Sequence, residues 1–184
     1  MREESTDIPQ SKACRRLRRL PKPYYHGRAY VHWSMTTQDR KTGWLTTSFH
    51  HHFREVLLHT LVRYNLACPI YCLMPDHLHI LLVGISRGSD QLKGVQFFRK
   101  NLSARSPEPF RFQSQAYDSV LREENRALDA FPAVVAYIAD NPVRKELVSV
   151  RSEYTFSASL FAGMPDLDWR RKDFWSVFWT AVNS

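Results

Sequence analysis

Between Tyr71 and Val83 the chain reads Tyr-Cys-Leu-Met-Pro-Asp-His-Leu-His-Ile-Leu-Leu-Val, and few folds can house such a run. The aliphatic and β-branched residues after Pro75 mark a buried strand. Side chains alternate faces along a strand, so His77 and His79 share one side while Leu78 and Ile80 point into a core. The two imidazoles are spaced roughly 6.6 Å along the backbone, near enough to converge on one ion. Buried strands rarely give two polar positions on one face to histidine without a reason. The plainer alternative is a pair of half-exposed histidines on the open face of a sheet.

The rest of the chain supplies partners for this strand. Cys68–Met74 is a second apolar run, joined to the first by a tight turn at Pro75-Asp76, which makes a hairpin. Upstream, Arg28 to Thr37 is β-rich and reads as the first strand. Thr46, Thr47 or Ser48 can cap a helix to about Tyr64, with Phe53, Val56, Leu57, Thr60 and Leu61 on one face. His50, His51 and His52 are expected to be a solvated cap region. Ser89 or Asp90 caps a second helix to about Ala104, striped by Leu92, Val95, Phe98 and Leu102. Ser106-Pro107-Glu108-Pro109 breaks the chain. Phe112 to Leu121 reads as a fourth strand, and a third helix covers Arg126 to Asp140, closed by Asn141-Pro142. The order β-α-β-β-α-β-α implies an α+β, ferredoxin-like split βαβ, an antiparallel sheet with helices packed on one face. Its other face is then free to carry a site. The organisation expected is a basic arm over residues 1–22, one domain over 23–160, and an aromatic helical tail over 161–184. In the tail Phe174, Trp175, Phe178 and Trp179 fall at helical spacing, as a packing face does.

Composition narrows the partners. With 184 residues and 43% hydrophobic content, the chain is long and apolar enough for a real core. Its formal net charge of +8 points toward a polyanion. Much of that charge is local, because Lys12, Arg15, Arg16, Arg18, Arg19 and Lys22 lie in one acid-free segment, a composition typical of a nucleic-acid tether. Cys14, Cys68 and Cys72 form neither a disulfide framework nor a zinc pattern and suit a reducing compartment. No apolar stretch reaches the ~18 residues of a membrane span, and no signal-peptide pattern opens the chain, so a cytoplasmic location without a membrane partner is expected.

A second motif lies about sixty residues beyond the histidines. Ala136-Tyr137-Ile138-Ala139-Asp140-Asn141-Pro142-Val143-Arg144 closes the third helix, with Tyr137 and Asn141 four apart and therefore on one face. Taken alone this is a structural tyrosine before an ordinary Asn-Pro stop. Taken with Tyr71–Leu82, it resembles the HUH single-tyrosine transposases, in particular the branch associated with repetitive extragenic palindromes, similar to the IS200-like group. The resemblance runs from Arg28 to Leu160 and includes Tyr117-Asp118-Ser119-Val120-Leu121-Arg122 and Leu147-Val148. The loop through Gln38-Asp39-Arg40-Lys41 is ordinary, and the aromatic tail departs from the pattern.

The resemblance implies a metal-dependent nuclease and strand transferase that cleaves and rejoins single-stranded DNA hairpins through a 5′-phosphotyrosine. On that basis Tyr137 is the nucleophile, His77 and His79 are metal ligands, and Asn141 is the third ligand. Imidazole with an amide and phosphate oxygens makes Mg²⁺ or Mn²⁺ the expected ion. A phenol is a poor nucleophile unaided at neutral pH, so help at the phosphate is required. DNA-binding cations are expected from Arg15, Arg16, Arg18, Arg19, Arg99, Lys100, Arg122 and Arg144, with Arg105, Arg111 and Lys145 as further candidates. The protein is expected to work as a monomer or homodimer. Two other classes compete. A domesticated, non-catalytic, sequence-specific DNA-binding protein keeps the fold and basic arm, and an RNA-binding module places strand aromatics on the free face. A (β/α)₈ metal hydrolase also uses His-x-His, but needs roughly 250 residues and eight βα units.

Overall fold

Pro75 and Asp76 turn the chain back on itself, so that β2 (Leu66–Met74) runs antiparallel to β3 (His77–Gly84) with Met74 opposite His77 and Cys72 opposite His79. The computed structural model describes residues 19–104, 111–121 and 130–183. On its other side β3 pairs with β1 (Tyr30–Thr36), which in turn pairs with β4 (Tyr117–Val120). A further strand, β5 (Ser157–Leu160), lies outside β2. The sheet order is β4-β1-β3-β2-β5 with every neighbour antiparallel, the ferredoxin-like α+β arrangement extended by one strand.

Strand alternation sorts the core into two layers. Val31, Trp33, Met35, Leu78, Ile80 and Leu82 face α1 (Thr47–Tyr64) and α2 (Gln91–Ala104), the helical layer expected from sequence. The Thr46 hydroxyl accepts from the Phe49 amide to cap α1, and the Asp90 carboxylate accepts from the Lys93 amide to cap α2. Phe53 of α1 and Phe98 of α2 meet edge to face at 5.5 Å. Ala67, Ile70, Cys72, Leu81 and Val83 face the other way. They pack with Val135 and Ile138 of α3 (Ala130–Arg144) and with Phe174 and Phe178 of α4 (Phe174–Asn183). The second face, expected to be free, is therefore covered over its β2 side and accessible near His77. The aromatic stripe of the tail serves packing: Phe174 and Phe178 are fully buried, and Trp179 sits 5.1 Å from Phe131 and 5.8 Å from Tyr30. Among the described residues no helix is long and apolar enough to cross a membrane.

Several elements differ from the sequence reading, each for a local reason. β5 was not expected, because Ser-Ala-Ser-Leu has little strand propensity; it forms by pairing with β2, and the Ser159 hydroxyl donates to the Pro69 carbonyl at 2.9 Å. Pro69 has no N–H, and the register of β2 slips beside it against both neighbours. The fourth strand is Tyr117–Val120 rather than Phe112–Leu121. The Arg99 guanidinium takes the carbonyls of Gln113 and Ser114, and Phe112 makes only an isolated bridge to Thr37. The third helix does not stop at Asn141-Pro142 but runs through to Arg144. Proline removes one intrahelical donor there, while the Lys145 amide still donates to Asn141 and the Leu147 amide to Pro142. Glu146, at φ 55°, then turns the chain out of the helix. The expected start of that helix near Arg126 and the Ser106–Pro109 break lie outside the described residues. His50, His51 and His52 do not form a solvated cap: all three belong to α1, His50 bonds the Tyr71 hydroxyl at 2.8 Å, and only His51 is exposed.

The end of β3 needs a residue without a side chain. A Cβ at Gly84 would overlap the carbonyl of Gly27, whose own amide donates to Ser89 at 3.0 Å and ties the segment before β1 to the start of α2. Gly84→Ala is expected to destabilise the protein by about 1–3 kcal/mol, read as a lower urea midpoint with unchanged slope. An unshifted midpoint would show that this backbone contact is dispensable.

Candidate active site

Strand geometry brings the two histidines of β3 together as their spacing suggests. His77 Nε2 lies 3.1 Å from His79 Nε2, with the rings at 88° to one another. Each ring has a second contact at Nδ1. His77 Nδ1 donates to the Asp76 carboxylate at 2.6 Å, and His79 Nδ1 lies 3.0 Å from Nε2 of His32 on β1. Asp76 is itself fixed. Arg40 donates to its other oxygen at 2.7 Å, and Thr37 bonds its carbonyl through both amide and hydroxyl. The hairpin turn thus provides a carboxylate that accepts from the histidine next to it, and the loop after β1 supplies the counter-cation.

The helix α3 crosses this row and brings Tyr137 and Asn141 to it. The Tyr137 ring lies 5.8 Å from His79 and 6.0 Å from His32, both edge to face, and remains 43% exposed. Arg144, two turns on, places its guanidinium 5.0 Å over the Tyr137 ring. The Asn141 side chain donates through Nδ2 to the Tyr137 carbonyl at 2.7 Å, which leaves Oδ1 as the atom with lone pairs to offer. Continuation of the helix through Pro142 is what keeps Asn141 on the tyrosine's face. Ser34, Thr36, Arg40, His77, His79, Tyr137, Asn141, Arg144 and Lys145 line one open cleft of ≈ 430 Å³.

Burial sets the charge of the row. It lowers the pKa of His79 to about 3, with His32 and His77 adding to the effect, and lowers that of His32 to about 4. Both rings are therefore neutral at pH 7, with lone pairs available. Burial pushes the Asp76 carboxyl upward, but the hydrogen bonds and charges of His77 and Arg40 outweigh it and hold the carboxyl below its ordinary value. The donor set suits a divalent cation chemically: two imidazole nitrogens side by side, an amide oxygen, and a second hydrogen-bonding partner behind each ring. Among the described residues no group of three or more His, Cys, Asp or Glu is arranged to hold a metal ion, so the amide and external oxygens would have to complete any coordination shell.

The other candidates are dispersed. Arg15, Arg16, Arg18 and Arg122, and also Arg105, lie outside the described residues. Arg19 pairs with Asp118 at 2.8 Å and covers Trp33, whose side chain belongs to the opposite face of the sheet from His79. Arg99 stacks over Phe112 and Lys100 is exposed on α2. Of the four described cations among the eight singled out for DNA, Arg144 lines the cleft and Arg19, Arg99 and Lys100 do not; Lys145 joins it, as does Arg40 from a loop that looked ordinary. His32 and Asp76 also escaped notice. Asp76 adjoins the motif in sequence, but nothing in Tyr-Val-His-Trp-Ser marks His32 before the strand pairing is known.

The buried neutral rings couple the fold to pH. His32 and His79 titrate near 6.5 when unfolded and at about 4 and about 3 when folded, so between these values the unfolded chain binds more protons. Stability should be full above pH 6.5 and decline as pH falls toward 4. Thermal midpoints of metal-free protein between pH 7.5 and 5 check this; a flat profile contradicts it.

No protein-family model matches the chain, and no curated protein sequence matches it. Among solved structures, that of a REP-associated tyrosine transposase bound to a REP hairpin aligns with a TM-score of 0.63 at 19% identity, covering 77% of this chain and 81% of that one. A second, described as a candidate transposase from Deinococcus radiodurans R1, aligns with a TM-score of 0.44 at 15% identity, covering 71% of this chain and 97% of that one. The chain has the fold of a REP-associated tyrosine transposase.

Proposed function

We propose that this protein is a metal-dependent single-tyrosine transposase that cleaves and rejoins single-stranded DNA hairpins through a 5′-phosphotyrosine. The observation that carries the reading is the convergence of Tyr137 with His77, His79 and Asn141 in one cleft, from two elements about sixty residues apart in sequence. His77, His79 and Asn141 would hold Mg²⁺ or Mn²⁺, with the nitrogen content of the set favouring Mn²⁺. When bound, the ion supplies Lewis-acid polarisation of the scissile phosphate.

The chain's own residues do the rest. Tyr137 attacks phosphorus through its phenolic oxygen, a P–O bond forms to the tyrosine, and the bond to the 3′ oxygen breaks. In net balance the phenolic proton ends on the released 3′ hydroxyl. One phosphodiester replaces another, so rejoining needs no external energy source. The Tyr137 ring is held by His32 and His79 on one side and Arg144 on another, which limits the directions its hydroxyl can take. Arg144, Lys145 and Arg40 supply positive charge at the cleft for the DNA backbone. Asp76 carries one formal negative charge, already matched by Arg40. Residues 1–22 would add a tether that grips phosphates away from the reacting bond.

Incubation with labelled single-stranded hairpins and Mn²⁺ should give a covalent protein–DNA adduct, and Tyr137→Phe should abolish it. A merely structural tyrosine would lose a hydrogen bond worth ~1 kcal/mol and leave turnover nearly whole. His77→Ala and His79→Ala should lower cleavage while sparing hairpin binding. An adduct formed by the Phe variant would move the chemistry to another residue. Absence of adduct with the wild type on every hairpin would favour the non-catalytic DNA-binding reading.

Affinity for hairpins should fall steeply with salt, because lysine and arginine contacts release condensed counterions. Deleting residues 1–18, which leaves Arg19 on Asp118 and Trp33, should weaken binding and flatten that dependence, yet preserve cleavage at saturating DNA. An unchanged salt slope after truncation would show that the arm does not touch phosphate.

A further inference from the structure

One buried polar side chain beside the cleft has so far served only as a wall for the Tyr137 ring. His32 is 9% exposed, stands on β1 opposite Leu81, and so lies diagonally across from His79. Its Nε2 meets the far nitrogen of the His79 ring, Nδ1, at 3.0 Å, while the His79 nitrogen that faces His77 is Nε2. His32 therefore reaches the back of a candidate ligand rather than the place an ion would occupy. A buried imidazole is costly to retain without partners, and this one has His79 on one side and the edge of the Tyr137 ring on another.

We propose that His32 is a positioning residue: it grips His79 at Nδ1 and thereby presents the His79 Nε2 lone pair beside that of His77. The proposal rests on the reading of His77 and His79 as metal ligands. Hydrogen-bond counting leads to it. A neutral imidazole has one donor and one acceptor nitrogen. The Asp76 carboxylate only accepts, so His77, when it serves as a ligand and is neutral, carries its proton on Nδ1 and its lone pair on Nε2. Two arrangements of the row then remain. In the first, His32 donates from Nε2 to His79 Nδ1, and His79 donates from Nε2 to His77; every contact is satisfied and no lone pair faces an ion. In the second, His79 donates from Nδ1 to His32 Nε2, and two lone pairs face each other across 3.1 Å. Those lone pairs repel until a cation lies against both. Each ring carries one proton in both arrangements, so the exchange is a change of tautomer with no net proton uptake. The metal-ready arrangement requires an acceptor at position 32.

The test uses the full chain without DNA. Calorimetric titration with Mn²⁺ at pH 7.5 compares wild type, His32→Phe, which keeps a ring but removes the acceptor, and His32→Gln, which restores an acceptor of similar reach. We expect His32→Phe to weaken Mn²⁺ binding by roughly 10–100-fold, the usual effect of removing a partner behind a ligand. His32→Gln should bind within a few-fold of wild type, and hairpin binding in EDTA should be the same for all three. Equal Mn²⁺ affinity in wild type and His32→Phe overturns the role of His32 while leaving the metal reading intact. Loss in His32→Gln as deep as in His32→Phe overturns it too, because the acceptor would then not be what matters. Absence of Mn²⁺ binding by wild type overturns both. Should the Phe variant fail to fold, histidine ¹⁵N spectra of wild type decide: with Zn²⁺ as a diamagnetic probe, His79 must be protonated at Nδ1, and protonation at Nε2 overturns the proposal.

Discussion

The pairing of β1 with β3 is the constraint from which the cleft follows. Its register places Thr36 opposite His77, Ser34 opposite His79 and His32 opposite Leu81. Side chains of even-numbered β1 residues and odd-numbered β3 residues therefore share one face, with hydroxyls and imidazoles side by side at one end and Leu81 and Val83 at the other. A shift of one residue would bury His77 and His79 against α1 and α2 and turn Leu78 and Ile80 outward, a loss no local rearrangement could offset. The register is held by Trp33, Met35, Ile80 and Leu82 on the helical side, so the apolar half of each strand positions the polar half.

The polar row also solves an electrostatic problem. Several polar groups taken out of water require partners, and here each receives one from a different element: the hairpin turn for His77, β1 for His79, and the loop after β1 for Asp76. Asp76 and Arg40 pair at 2.7 Å near solvent, while the buried rings of His32 and His79 stay neutral. A neutral, lone-pair-rich pocket next to exposed arginines is suited to receiving a cation and a polyanion together.

How far the sequence reveals this depends on the range of each interaction. The hairpin, the caps at Thr46 and Asp90 and the stripe of α1 are local and were legible from periodicity and turn chemistry. His77 and His79 share a face because alternation alone requires it. Asn141 was harder, since the general rule that proline ends a helix conflicted with its placement on the Tyr137 face. The helix tolerates Pro142 by giving up a single backbone bond, and the Asn141 side chain caps the Tyr137 carbonyl that its own turn presents. His32 and β5 could not be read, because each depends on which strands become neighbours. Arg19 and Arg99 looked like free cations in sequence; the fold gives them a carboxylate, carbonyls and aromatic faces as partners.

The sheet is long in the middle and short at its margins. β2 and β3 have nine and eight residues, whereas the outer strands β4 and β5 have four each. An outer strand is where another chain can continue a sheet by main-chain bonding, and brief margins offer little to template it. This matters for a basic protein that DNA would concentrate, because crowding on a polyanion favours whatever self-association the surface permits. With four-residue margins on either side among the described residues, growth by sheet extension is curtailed, and contact between two copies would fall to side chains.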